Sequence, residues 1–134
     1  MIAYAEVADV WTLGIKQAAL SSVATPVIEA ELERQARKID SYLAALGALP
    51  LVAWGADIRG ANVVLAVPNL LLGMRGANPD EPGVAFWIDR ATKEELWLRD
   101  VSRGIASPVG LVFSTPTPIA EAAPQVFTTK MRGW

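Results

Sequence analysis

The chain is 134 residues long, 52% apolar and 19% charged, with a formal net charge of −2. That is the size of one domain able to bury most of the apolar surface its unfolded state exposes, and its composition lies far from that of disordered chains. The absence of cysteine and histidine excludes disulfides, thiolate chemistry and the usual zinc and transition-metal ligands, and the mixed signs of charge along the chain argue against a nucleic-acid-binding surface.

The opening "MIAYAEVADVW" carries Glu6 and Asp9 and lacks the basic start and apolar middle of a signal peptide, so synthesis in the cytoplasm is expected. Val7, Val10 and Trp11 recur at helical spacing over Ala5–Leu13, and Gly14 interrupts them. A second short helical turn is expected through Leu20.

The clearest element is "TPVIEAELERQARKIDSYLAAL". Thr25 is expected as N-cap, Pro26 suits the first helical position, and Glu29 and Glu31 lie in the first turns, where the helix dipole favours acids. Ile28, Leu32, Ala36, Ile39, Leu43 and Leu46 then recur every three or four residues, with Glu29, Glu33, Arg37 and Asp40 on other faces. Gly47 and Pro50 are expected to end this helix.

A third helix is predicted from near Asp57 to Arg75. Its apolar run, Ala61 to Met74, is well short of the roughly 20 residues that span a bilayer, so it reads as a helix central to a bundle or covered by another subunit, and no membrane is expected. Pro68 predicts a kink or break near Val67, because proline removes a backbone donor and clashes with the preceding turn. "GANPDEPG", Gly76 to Gly83, is a turn-rich connector. The next helix is predicted from Asp80 or Pro82 to Arg103, with Trp87, Ala91, Leu98 and Val101 on one face, Phe86 and Trp97 at its edge, and Gly104 as C-cap.

After Gly104 the helical period stops. "VGLVF", Val109 to Phe113, suits a short strand, and "STPTPIAEAAPQ", Ser114 to Gln125, has the prolines of an extended segment. The expected fold is thus all-α: a small bundle of about four helices over residues 1–108, then a long extended C-terminal tail over 109–134 that has room for a short strand.

No catalytic arrangement stands out. There is no G-x-S-x-G elbow, S-x-x-K, P-loop or G-x-G-x-x-G, and neither an enzyme nor a cofactor is expected. Asp89, Glu94, Glu95 and Asp100 read as the solvated side of the last helix, interleaved with Arg90, Lys93, Arg99 and Arg103, rather than as a carboxylate metal site. Trp11, Trp54, Trp87 and Trp97 are expected in the core or at the bundle edge. The closing "VFTTKMRGW" is different: Val126, Phe127, Met131 and Trp134, with Arg132 among them, follow a proline-rich spacer, and read as interface anchors for another molecule.

Several blocks resemble the small head-to-tail connector (neck adaptor) proteins of tailed phages, in the Mu-like prophage branch. They are "AYAEVADV" (Ala3–Val10), "IDSYLAALGALPL" (Ile39–Leu51), "WLRDVSRG" (Trp97–Gly104) and the closing "VFTTKMRGW". The family tends to place an aromatic and a basic residue before Ala-Leu-Pro-Leu, where this chain has Leu46 and Gly47. The resemblance implies a virion protein at the head-to-tail junction, an all-helical, twelvefold ring beneath the portal. Its implied partners are itself, the portal, the next neck or tail protein, and DNA passing through the lumen without specific binding. The alternative is a cytoplasmic helical binding module or an assembly factor that the particle does not retain.

Overall fold

The computed structural model describes residues 3–114. Its elements, in chain order, are a single helical turn α1 (Val7–Asp9), helix α2 (Thr25–Leu43), strand β1 (Ala48–Ala53), helix α3 (Ala56–Asn69), helix α4 (Pro82–Ser102) and strand β2 (Val112–Ser114). The fold is mostly helical, as the apolar periodicity predicts, but it includes a two-stranded antiparallel sheet joining β1 to β2.

Helix α3 is the centre of the molecule. Ile58, Ala61 and Leu65 face a core cluster with Ala36, Ile39, Leu43, Leu51, Leu98 and Val101. Val63, Ala66, Val67 and Leu70 face a second cluster with Val10, Leu20, Ile28, Leu32 and Val84. A helix packed on both sides must be apolar on both sides, which explains why the run from Ala61 lacks a polar face. The chain continues as a helix through Pro68 to Asn69, so of the kink or break expected near Val67 the break does not occur. Dense packing on both sides holds the helix there. The irregularity comes after the proline: the Leu70 N–H is shared between the Ala66 and Val67 carbonyls, and a π-helical turn follows over Leu70–Met74.

In α2 the buried stripe is Ile28, Leu32, Ala36, Ile39 and Leu43, as its spacing predicts. Three details differ. Thr25 is already helical and the N-cap is Ala24, with Pro26 in the first turn. The helix stops at Leu43, so Leu46 falls in the following turn and is exposed. Glu31 is no surface acid serving the helix dipole: its carboxylate is buried, accepting hydrogen bonds from Gln35 Nε2 at 2.7 Å, Asn69 Nδ2 at 2.9 Å and Arg34 at 3.1 Å. It links α2 to α3 and is satisfied there, as a buried carboxylate must be.

The N-terminal segment lies across these helices. Asn62, fully buried on α3, accepts the Tyr4 N–H at 2.7 Å and donates to the Leu32 carbonyl at 2.9 Å. The Tyr4 hydroxyl donates to Asp40, and Trp54 Nε1 donates to the Tyr4 carbonyl at 2.8 Å with the two rings edge to face. Burial and the neighbouring Asp40 push the Tyr4 hydroxyl far above its ordinary pKa. Only α1 is α-helical in the segment predicted over Ala5–Leu13; Val10–Gly14 widens into a π-helical turn. Gly14 lies there against Val63 and Val67, so close that a β-carbon would fall 2.9 Å from a Val63 methyl. A 3-10 turn, Gln17–Leu20, supplies the second short helical piece.

Helix α4 spans the predicted residues. Gly104 ends it at φ 77°, the left-handed conformation that glycine adopts without strain. The Ile105 N–H then bonds the Asp100 carbonyl at 2.9 Å and the Gly104 N–H bonds Val101 at 3.0 Å, the paired bonds of a Schellman cap. Between α2 and α4, Glu95 accepts from Lys38 Nζ and the Tyr42 hydroxyl, both at 3.1 Å. Its carboxyl is held below the usual range chiefly by the Lys38 hydrogen bond.

That shift has a pH consequence. As pH falls, the unfolded chain takes up the Glu95 proton before the folded one, so the stabilisation is present above the ordinary carboxylate pKa and is lost as pH drops through the folded value. Both side chains are about one-third exposed or more, which keeps the pair at about 1 kcal/mol or less. Lys38→Met is expected to lose that margin at pH 7 and to converge on the wild type as pH falls below the folded Glu95 value. Urea melts across this range measure it, and a difference that grows as pH falls would contradict the assignment.

Candidate functional site

The segment expected to anchor a partner, with Val126, Phe127, Met131, Arg132 and Trp134, lies outside the described residues. What the structure shows is the surface from which that segment departs. Strand β1 (ALPLVA) and strand β2 (VFS) pair antiparallel, with Ala48 opposite Ser114 and Ala53 opposite Val112; an irregularity between them lets six residues face three. The Leu49–Pro50 peptide bond is cis.

Alternation along the strands divides the side chains. Leu49, Leu51 and Phe113 pack on the cluster built from α2, α3 and α4. Val52 and Val112 are left 65% and 49% exposed, and Val109, on the approach to β2, is 70% exposed. Neither strand carries a charged residue.

Close backbone packing fixes this surface. Gly47 lies beneath the Phe113 ring, where a β-carbon would stand 2.6 Å from Cδ1. At Gly55 a β-carbon would stand 2.6 Å from the Val109 carbonyl oxygen, and Gly110 turns the chain into β2 at φ 77°. The Val109 N–H donates to Asp57 Oδ2 at 3.1 Å, and the Ser114 hydroxyl donates to the Pro50 carbonyl. The residues leading into the C-terminal segment are therefore held on the bundle from both sides.

Beside this surface is a shallow cavity of about 310 Å³ lined by Asp57, Glu94 and Trp97. Loss of water pushes the Glu94 carboxyl above its ordinary pKa, against the opposing pull of the Arg90 charge and with a smaller push from Asp57. Asp57 and Glu94 are in no ion pair among the described residues. A larger cleft of about 620 Å³ lies between the N-terminal segment and the start of α2, lined by small and apolar residues together with Glu6, Glu29 and Glu33.

The four acids of α4 do not converge. Asp89 pairs with Lys93 at 3.0 Å on the exposed face, Glu95 reaches across to α2, and Glu94 lines the small cavity. The solvated-face reading therefore fits Asp89, while Glu95 serves helix packing. Trp11 and Trp87 pack at the edge of one core cluster, and Trp54 and Trp97 at the edge of the other, as expected of all four. Phe86 stands outside, 54% exposed, with the Arg90 guanidinium 5.9 Å from its ring.

Sequence reading missed β1, and with it Val52 and the Gly47–Phe113 contact. The available signal was the apolar "ALPLVA", whose length suits a strand, with "VGLVF" as its possible partner. Gly47 and Pro50 look locally like helix terminators, and that local meaning conceals the pairing across more than 60 residues.

A family model described as Bacteriophage Mu, Gp36 matches residues 2–126. No curated protein and no solved structure matches the chain.

Proposed function

Because the chain belongs to the bacteriophage Mu Gp36 family, we propose that it is a non-enzymatic virion protein of the head-to-tail junction. Copies form a ring beneath the portal, about twelve in number, that extends the DNA channel and presents a docking surface to the next neck or tail component. The match over residues 2–126 carries this reading. The connector-like blocks at Ile39–Leu51 and Trp97–Gly104 support it, since in the structure they shape the turn into β1 and the capped end of α4.

A ring requires heterologous contacts that close on rotation, each copy offering a donor surface to one neighbour and an acceptor surface to the other. An exposed apolar sheet at one point of the chain and an apolar, basic terminus at another fit such a pair. The net charge of −2 suits a conduit, because a lumen that gripped phosphates would hold DNA in place.

Mass spectrometry of purified particles, with the portal as internal standard, tests this directly. Copy number close to that of the portal is expected. Removal of Val126–Trp134 is expected to leave a folded bundle but yield filled heads that do not join tails. Absence of the protein from finished particles would move it to the assembly-factor class.

A further inference from the structure

We propose that the β1–β2 sheet is the acceptor for the C-terminal residues Val126–Trp134 of a second copy of this chain, which add to its edge as a further strand. The inference rests on the ring reading above and gives its intersubunit contact a location.

The acceptor is visible in the described residues. A two-stranded sheet has two edges whose backbone groups seek partners, and a pair of strands alone is marginal in water. Natural edges are usually protected by charged side chains, proline or bulges; β1 carries Pro50 and the irregularity, so the outer edge of β2, with neither charge nor proline, is the open one. The outward valines, Val52, Val112 and Val109, are instead exposed, and they sit on backbone fixed by the Gly47–Phe113 and Gly55–Val109 contacts. The surface is both apolar and rigid, so a partner need not be ordered at both sides of the contact.

The donor follows from sequence and length. Val126, Phe127, Thr128 and Thr129 are strong strand formers. In an extended strand Phe127, Thr129 and Met131 share one side, able to continue the valine surface laterally, and main-chain bonds supply the affinity while alternate side chains supply selection. Lys130 and Arg132 complement Asp57 and Glu94, which lie beside the Val109 loop without ion-pair partners among the described residues.

A neighbour is the better recipient than the donor's own sheet. Eleven residues, 115–125, separate β2 from Val126 and include Pro116, Pro118 and Pro124. Such a spacer favours extension, at about 3.1 Å per residue or roughly 35 Å in all. The radius of gyration expected for a domain of this size is about 13 Å, so an extended spacer of this length is able to reach a neighbouring copy.

The chain has no cysteine, so engineered disulfides report the contact without background. Full-length protein carrying Val112→Cys on β2 together with Phe127→Cys, Thr129→Cys or Met131→Cys in turn is oxidised, both purified and within phage particles, and run without reductant. A ladder of covalent multimers beyond the dimer is expected, whereas each single-cysteine chain can form a dimer at most. A fast-migrating monomer with an internal disulfide would place the segment on its own copy, and no disulfide in either sample would exclude this acceptor; either overturns the proposal. Particles that contain the protein in portal-like number but yield no ladder would leave the junction role intact and remove only the docking. Particles that lack the protein would remove the junction role, and a ladder from the purified chain would then still establish the contact.

Discussion

Asn62→Leu is expected to destabilise the fold by about 2–4 kcal/mol, lowering the melting temperature by about 10 °C. Leucine has the same branched heavy-atom skeleton as asparagine with bulkier ends, so no cavity opens and the loss is chiefly that of the hydrogen bonds. The Tyr4 N–H, buried against Asn62 Oδ1 at 2.7 Å, is left with no acceptor, and a buried unpaired donor costs about 1–3 kcal/mol. The Leu32 carbonyl loses the Nδ2 donor as well. The damage then spreads along the N-terminal strap, because Tyr4 also receives the Trp54 indole N–H on its carbonyl and donates its hydroxyl to Asp40. Loss of the near-ultraviolet signal of the Tyr4–Trp54 pair should accompany the drop in melting temperature. A melting point within about 2 °C of the wild type would show that the strap finds another acceptor and that Asn62 does not hold it.

This residue also shows where sequence reading stops. Asn62 is one polar residue in an apolar run, and nothing local says that it meets Tyr4, 58 positions away. What was legible is what neighbours in sequence decide: the stripe of α2, the extent of α4, the Gly104 cap and the turn-rich connector. Even the central place of α3 could be read, because a helix without a polar face must be covered all round. What was not legible depends on distant pairing. Glu31 has the same sequence signature as any acid early in a helix, and only the approach of Asn69 makes it a buried hub. Pro68 predicts a break by local rules, and two packed cores overrule it. At the candidate site, the expectation of terminal anchors lies outside the described residues, and the sheet was not legible, since β1 acquires its meaning only from β2.

Gly47→Val should separate the helical core from that sheet. Every substituent at residue 47 enters the space of the Phe113 ring near its attachment, where a β-carbon alone would lie 2.6 Å from Cδ1. The ring cannot yield by bending its far end; it must leave. Phe113 lies in β2, and the cluster it packs on includes Leu49 and Leu51 of β1, so its departure removes the side chain that pins one strand over the other. The remaining ties, the Val109 contacts with Gly55 and Asp57 and the Ser114–Pro50 hydrogen bond, hold only the ends of a strand pair this short. Overpacking and the lost ring burial together are expected to cost about 3 kcal/mol, while helical circular dichroism stays near the wild-type value because α2, α3 and α4 pack without residue 47. In phage, a plaque titre reduced by about 10²-fold or more is expected, since on the ring reading both the origin of the C-terminal segment and the acceptor for its neighbour lose their shape. The double-mutant cycle with Phe113→Ala isolates the cause. In that background the space is already empty, and Gly47→Val should cost less than about 1 kcal/mol. An undiminished cost there would assign the need for glycine to the backbone of the turn after α2, and would detach the sheet's integrity from the contact between Gly47 and Phe113.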